Sequence, residues 1–137
     1  MAASDEARRL LIKAAEDEYV LDRLLADTSA PDAVLGFHAQ QAAEKLLKAA
    51  LFLMDAAPPR THSLAELAQR VADRGHSLPP ECEELRWLTP YAVLYRYDDE
   101  PGVAEEALER EAARKRICQL RAWVEQLLAE HERRQQN

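Results

Sequence analysis

Apolar residues recur every three or four positions along most of this chain, the spacing that places side chains on one face of an α-helix. The pattern is most continuous in the second predicted helix, which spans the region around residues 35–54. The apolar residues of that helix are Leu35, Ala39, Ala42, Leu46, Ala49 and Leu53, widened by Ala43, Leu47, Ala50 and Met54. An apolar surface of this width predicts a helix that is mostly covered by protein.

The sequence also predicts the bounds of the first two helices, and those of the second are set by prolines. The first is predicted from about residue 5 to residue 26. Glu18 falls within or beside its apolar stripe; a buried carboxylate there would need a partner, and we favour an edge position. Pro31 suits the first turn of the second helix, because its missing amide is not needed there. Two prolines at 58 and 59 cannot continue that helix and therefore end it.

Capping residues, glycine and proline also set the predicted bounds of the helices in the second half of the chain. Ser63 and Glu66 have the spacing of a capping box, which predicts a short third helix that ends at Gly75. A fourth helix is predicted from Leu78, with Pro90 kinking or splitting it. Its bulky residues are Leu85, Trp87, Leu88, Tyr91, Leu94 and Tyr95.

A last helix is predicted from about residue 103 to residue 131, and the final five residues are expected to fray. Its apolar side is Ala113, Ile117, Leu120, Val124 and Leu127. Short links between long helices imply antiparallel neighbours. We therefore expect an all-α, up-and-down bundle of four to five helices that forms one domain over residues 1–137.

Composition agrees with helix packing and narrows the class of function. Hydrophobic residues make up 47% of the 137 residues, but aromatic residues only 6%, and there are three glycines. The net charge of −7 argues against a general nucleic-acid-binding surface, although it leaves room for a local basic patch. No leader and no apolar run of membrane-spanning length is present, so no membrane association and a cytoplasmic location are expected. Cys82 and Cys118 lack metal-type spacing, and both are expected to be reduced, buried and structural.

Polar residues on the second helix are the first candidate for chemistry. The face opposite the apolar stripe carries His38, Gln41, Glu44, Lys45 and Lys48. Glu44 lies one turn before Lys48, the favourable order for an ion pair. These residues predict either a ligand-binding surface or a solvated edge of a core helix.

Arg96 and His62 are candidates on other segments. Arg96 could bind a phosphate or a partner carboxylate while Tyr97 stacks on a base. It could equally hold a helix end by pairing with a nearby carboxylate such as Asp98. His62 precedes the predicted cap Ser63, where it could carry a proton, hold a carboxylate or be a hydrogen-bonded structural residue.

The last helix carries the one basic cluster of the sequence, formed by Arg110, Arg114, Lys115, Arg116 and Arg121. It could meet RNA phosphate or an acidic partner surface. It could also be a solvated face balanced by neighbouring glutamates, which is the interpretation we favour. Glycine-rich phosphate loops, metal-type spacings and Ser/His/Asp patterns are absent, so neither a metal nor a cofactor is predicted.

Three segments in order resemble those of HEPN domains. They are Phe37-His-Ala-Gln-Gln-Ala-Ala-Glu-Lys-Leu-Leu-Lys-Ala49, then Thr61-His-Ser-Leu64, then Tyr95-Arg-Tyr-Asp98. The resemblance covers nearly the whole chain and implies an all-α bundle of four to five helices, often dimeric. It further implies a small nucleotidyltransferase as partner in a toxin–antitoxin-like pair, and either binding of nucleotide or RNA or metal-independent cleavage of RNA.

The sequence departs from the ribonuclease motif of that family, an arginine followed four to six residues later by histidine. Arg96 stands at the arginine position, but no histidine follows it at that spacing. Arginine does not give up its proton and so cannot replace the histidine in proton transfer. We therefore expect a homodimeric binding module to which no catalytic residue is assigned, its groove lined by His38, Gln41, Lys45, Lys48, Arg96 and Tyr97. The alternative is a ribonuclease toxin that uses Arg96 with a histidine outside the motif, such as His62 or His38.

Overall fold

The computed structural model of this protein describes residues 2–94 and 107–136, and in these ranges it contains helices and no strand. The α-helices are α1 (Ala2–Leu24), α2 (Asp32–Leu53), α3 (Leu64–Asp73), α4 (Tyr91–Leu94) and α5 (Arg110–Gln135). A 3-10 helix (Pro80–Leu88) lies between α3 and α4. The predicted all-α helical bundle is confirmed.

Helix α2 is the centre of the bundle and contacts α1, α3, α4, α5 and the 3-10 helix. All ten residues of its predicted apolar surface are buried. Many of them are alanines, which allow neighbouring helices to approach closely without voids. The continuous apolar pattern of this helix therefore identified the core of the molecule.

Helices α1 and α5 pack side by side in opposite directions. Arg8, near the start of α1, pairs with Glu132 near the end of α5, and Arg114 pairs with Asp22 at the opposite end. Helix α1 ends at Leu24, two residues earlier than predicted, because the Asp27 amide bonds the Leu24 carbonyl and turns the chain.

Asp32 joins the beginnings of α2 and α5. Its carboxylate accepts hydrogen bonds from the Leu108 amide and from Arg110 Nε, both at 3.0 Å. Arg110 also donates to the carbonyls of Asp27 and Ala30, which fixes the link between α1 and α2. Residues 107–109 are held in this junction and are not helical. The last helix therefore starts at Arg110, whereas the prediction placed its start at about residue 103.

At its other end α5 continues to Gln135, beyond the predicted end at about residue 131 and into the tail that was expected to fray. Within the helix, Leu128 is buried while the predicted Leu127 is only partly covered.

The predicted cap of α3 is present. The Ser63 hydroxyl accepts a hydrogen bond from the Glu66 amide at 3.2 Å, which satisfies one free donor of the first turn. Gly75 has a φ of 82°, and its amide bonds the Ala72 carbonyl. This left-handed conformation ends the helix where the glycine predicted it.

The predicted fourth helix is divided at Pro90, as expected, but its first part is a 3-10 helix rather than an α-helix. Trp87, one of the bulky residues named for the predicted helix, is 70% exposed on that segment. Tyr91 packs directly against Gly36 of α2, where an added Cβ would lie 2.1 Å from the Tyr91 ring. Glycine is therefore required at position 36 for α4 to sit on α2.

Candidate functional site

Two carboxylates organise the polar face of α2. The first is Asp17, which reaches across from α1 and is almost completely buried. One of its oxygens accepts a hydrogen bond from His38 Nδ1 at 2.9 Å, and the other accepts one from Lys45 Nζ at 2.5 Å. Asp17 therefore fixes both ends of the two-turn segment from His38 to Lys45.

The second carboxylate is Glu44, which belongs to α2 itself and is also buried. It accepts hydrogen bonds from Gln40 Nε2 and His62 Nδ1, both at 2.9 Å. Its other oxygen accepts one from Lys48 Nζ at 3.0 Å. The predicted pairing of Glu44 with Lys48 is confirmed, and a histidine from a distant segment joins it.

Gln40 attaches the segment before α3 to α2. Its side chain is completely buried and donates to the His62 carbonyl at 3.2 Å as well as to Glu44. Gln41 in turn donates to the Gln40 side-chain oxygen at 2.7 Å. The Ser63 cap then starts α3 immediately after this attachment, so the position of His62 is set on both sides.

Electrostatics favour the ionised form of Glu44. Burial by itself raises the pKa of this carboxyl, but the hydrogen bonds from His62, Gln40 and Lys48 oppose burial and together outweigh it. The net result is a lowered pKa, so Glu44 carries a full negative charge near neutral pH. A buried carboxylate with three donors is a rigid anchor for the groups that surround it.

His62 combines a fixed ring with wide access to solvent. An ionised carboxylate can only accept, so Nδ1 of His62 carries the proton that is donated to Glu44. The His62 side chain is 74% exposed, and its second ring nitrogen, Nε2, lies on the edge turned away from Glu44. In the neutral ring Nε2 can accept a proton or a hydrogen bond, and in the charged ring it can donate one.

These groups form one continuous surface, which we call the α2 strip: His38, Gln41, Lys45, Lys48 and His62. The four α2 members lie on one side of that helix, and the hydrogen bond to Glu44 adds His62. His38, Lys45 and Lys48 are between 20% and 26% exposed, so this face is not the solvated edge that periodicity alone allowed. Arg96 and Tyr97, predicted to line the same groove, lie outside the described residues.

Two members of the network, Asp17 and Gln40, were not among the predicted site residues. Asp17 follows Leu10 and Ala14 and precedes Leu21 at the spacing of a buried stripe, so its position indicated a covered carboxylate in need of a partner. Gln40 gave no comparable signal, because its burial depends on the segment around residue 62 folding over it.

Three arginines of the basic cluster of α5, Arg110, Arg114 and Arg121, pair with carboxylates inside the bundle and do not form a solvated face, whereas Lys115 is exposed. Glu18 of α1, predicted at an edge, is buried and accepts hydrogen bonds from Arg121 and Arg114. Arg114 also pairs with Asp22, and Arg110 with Asp32. These three arginines join α5 to α1 and to the start of α2, so they offer little free charge to an RNA or a protein partner.

The cysteines differ from each other, contrary to the prediction that both are buried. Cys82 is buried and donates to the Arg116 carbonyl, whereas Cys118 is exposed. Burial, reinforced by Glu81, raises the pKa of the Cys82 thiol to about 11.

Across residues 2–94 and 107–136, no group of three His, Cys, Asp or Glu side chains could hold a metal ion. In the same ranges no helix is both long and apolar enough to cross a membrane.

A cleft of about 510 Å³ lies at the other end of the bundle, where α2, α3 and α5 end. Its lining mixes Arg74 and Arg134 with Asp55, Asp73 and Glu130, so opposite charges largely cancel. Arg74 moreover donates to the Met54 carbonyl and serves the end of α2. The cleft has no cluster of oriented donors comparable to the α2 strip.

Comparison with known protein families matches the HEPN domain over residues 7–127, which include most of α1, all of the helices from α2 to α4 and most of α5. Neither a curated protein nor a solved structure matches the chain. The matched range contains all residues of the α2 strip.

Proposed function

This chain belongs to the HEPN domain family, and we propose that it is a nucleotide- or RNA-binding interaction module that works with a nucleotidyltransferase partner. The pair would be toxin–antitoxin-like, with this chain as a cytoplasmic homodimer. The observation that carries the proposal is the α2 strip, in which two buried carboxylates hold two lysines and two histidines on one surface.

Donor geometry supports a phosphate-bearing ligand. Each lysine of the strip uses one of its three N–H groups on a carboxylate and retains two for a ligand. Because the ammonium groups are held in place by Asp17 and Glu44, little side-chain entropy is lost when a ligand binds. A nucleotide or an RNA strand offers phosphate oxygens that suit such donors.

Arg96 and Tyr97 complete the proposed groove. Described parts of the chain before and after their segment contact the first half of α2: Tyr91 of α4 packs on Gly36, and the Leu108 amide donates to Asp32. In the proposal Arg96 adds a cation for phosphate and Tyr97 a face for stacking on a base.

The proposal is tested with the protein alone and with its partner. Light scattering after gel filtration should give the mass of a dimer, and co-expression with a nucleotidyltransferase from the adjacent reading frame should give a stable complex. Titration with ADP and with a short RNA should produce binding heat that falls in Lys48→Gln and not in the exposed Lys13→Gln. A monomer that ignores both ligands and the partner would contradict the proposal.

The geometry of His62 favours one second candidate, a ribonuclease toxin. A histidine whose Nδ1 is held by a carboxylate presents Nε2 for proton transfer, the arrangement that general base catalysis requires. In this candidate His62 moves the proton and Arg96 meets the phosphate. Growth arrest on expression that is relieved both by His62→Asn and by Arg96→Ala would support it, and unhindered growth of the wild type would exclude it.

A further inference from the structure

The formal charges of the α2 strip and its two anchors cancel. Asp17 and Glu44 contribute two negative charges, and Lys45 and Lys48 contribute two positive charges, when both histidines are neutral. The cations are therefore already neutralised before any ligand arrives. A phosphate group would gain hydrogen bonds there, but little net electrostatic attraction.

His62 is the group of the strip best placed to change this balance. Histidine is the side chain whose ordinary titration lies near neutral pH. Its Nδ1 already carries a proton for Glu44, so a second proton must go to Nε2, on the exposed edge of the ring. That proton would add one positive charge and one donor directed at solvent, beside Lys48 on the same carboxylate.

We propose that His62 and Lys48, bridged by Glu44, form a phosphate subsite that takes up a proton when a phosphate group binds. This inference rests on the proposed function and specifies how its ligand is held. The phosphate oxygens accept from Nε2–H of His62 and from the remaining N–H groups of Lys48. Binding and protonation favour each other, because each supplies the charge that the other lacks.

The surroundings of His62 are compatible with this role. From α2 it faces Glu44, with Lys48 on the same carboxylate. Arg60 on its own segment and Glu66 in the first turn of α3 are exposed and opposite in sign. The segment between the 3-10 helix and α4 reaches this region through the uncharged Thr89, which accepts from the Leu64 amide. Among these groups Glu44 is the one that His62 contacts directly, through Nδ1.

His38 at the other edge of the strip is a poorer candidate for the same role. Its Nδ1 is bound to Asp17 and its side chain is 22% exposed, against 74% for His62. His38 and Glu44, the residue that holds His62, are six positions apart on α2, or roughly 9 Å along its axis. A single phosphate group therefore does not bridge them.

Isothermal titration calorimetry measures how many protons the protein takes up when a ligand binds. ADP is titrated into the protein at pH 7.5 in two buffers of different ionisation enthalpy, and the difference in heat gives proton uptake per ligand. Because the terminal phosphate of ADP itself titrates near pH 6, the readout is the difference between wild type and His62→Gln. Glutamine keeps a donor for Glu44 but cannot take up a proton. His76→Gln, an exposed histidine outside the strip, is the matched control.

We expect wild type and His76→Gln to take up about one proton more than His62→Gln, and His62→Gln to bind ADP about tenfold more weakly. Adenosine, which has no phosphate, should show no uptake. An oligouridylate without a terminal phosphate, which offers only phosphate diesters, distinguishes a subsite for monoesters from one that also takes diesters. Uptake with ADP alone supports a subsite for phosphate monoesters, and uptake with both ligands supports one that also takes diesters.

Equal proton uptake by wild type and a folded His62→Gln, checked by its thermal melting, would overturn the inference and leave the proposed binding function intact. If His62→Gln does not fold, His62→Asn replaces it. Failure of the wild type to bind either ADP or RNA would overturn both.

Discussion

Glu44 accepts hydrogen bonds from three side chains, two on its own helix and one on the segment before α3. Replacing it by glutamine keeps the volume but removes the negative charge that Lys48 and His62 share. We expect Glu44→Gln to lower the free energy of unfolding by about 2 kcal/mol at pH 7. The exposed Glu16→Gln, which disturbs only a long pairing with Lys13, should change it by less than about 0.5 kcal/mol.

The effect should depend on pH in a definite direction. Because the pKa of Glu44 is lowered in the folded protein, its contribution is present above the ordinary glutamate pKa and is lost as pH falls through the folded value. The difference between wild type and Glu44→Gln in chemical unfolding should therefore shrink as pH falls from 7 towards about 3. A difference that grows on acidification would show that Glu44 does not act as a stabilised carboxylate.

The two cysteines make a second prediction for individual residues. The Cys82 thiol is buried and its pKa is raised to about 11, so almost none of it is the reactive thiolate at pH 8. Cys118 is exposed. Iodoacetamide should add one carbamidomethyl group to the native protein at pH 8, and none to Cys118→Ser. Two equivalents at equal rates would contradict the burial of Cys82, and two in denaturant provide the control.

Among the elements, the pairing of α1 with α5 depends on a buried charge. Glu18 is 7% exposed and accepts from Arg121 at 2.5 and 2.8 Å and from Arg114 at 3.3 Å. Removal of this carboxylate leaves two partly buried guanidinium groups without it, which is costly even though a buried ion pair adds little net stability.

Glu18→Ala should therefore lower the free energy of unfolding by about 3 kcal/mol. The control is Glu125→Ala, which meets the same Arg121 at 3.6 Å but is 58% exposed and should cost less than about 1 kcal/mol. Both are measured by urea unfolding. Equal costs would mean that Arg121 and Arg114 find other partners when Glu18 is absent.

The elements also show what the sequence could predict. Apolar spacing, the Ser63 cap and the final Gly75 are local signals, and they placed α1, α2 and α3 to within a few residues. The 3-10 helix and the late start of α5 depend on contacts between distant residues, such as Asp32 with Leu108. Local propensity carries no record of such contacts, so these features were missed.

The candidate site likewise contains residues that local sequence signals predicted and residues that only the tertiary fold reveals. His38, Gln41, Lys45 and Lys48 were grouped correctly on one side of α2 because helical periodicity alone brings them together. Asp17 and Gln40 become visible only once α1 and the segment before α3 are placed. His62 was named from its sequence context, but its hydrogen bond to Glu44 follows from the tertiary fold.

For the whole molecule, charge limits how RNA can bind. The net charge is −7, and the arginines Arg110, Arg114 and Arg121 are engaged with carboxylates of the bundle. These three arginines are therefore not available to an RNA backbone, whose extended binding requires many phosphates to be neutralised at once. In the proposed mode the contacts are limited to Lys45, Lys48 and a protonated His62, with Arg96 as a further cation.

A binding mode with so few cations predicts a shallow dependence on salt. For a single-stranded RNA, each neutralised phosphate contributes about 0.7 to the slope of log affinity against log salt. Two to four contacts therefore give a slope of roughly −1.4 to −2.8, measured by fluorescence anisotropy of a labelled ten-nucleotide RNA between 50 and 200 mM salt. Lys48→Gln should reduce the slope by about 0.7, whereas Lys13→Gln should leave it unchanged. A slope steeper than about −4 would require six or more phosphate contacts, more than the strip can supply, and would place the RNA on another surface.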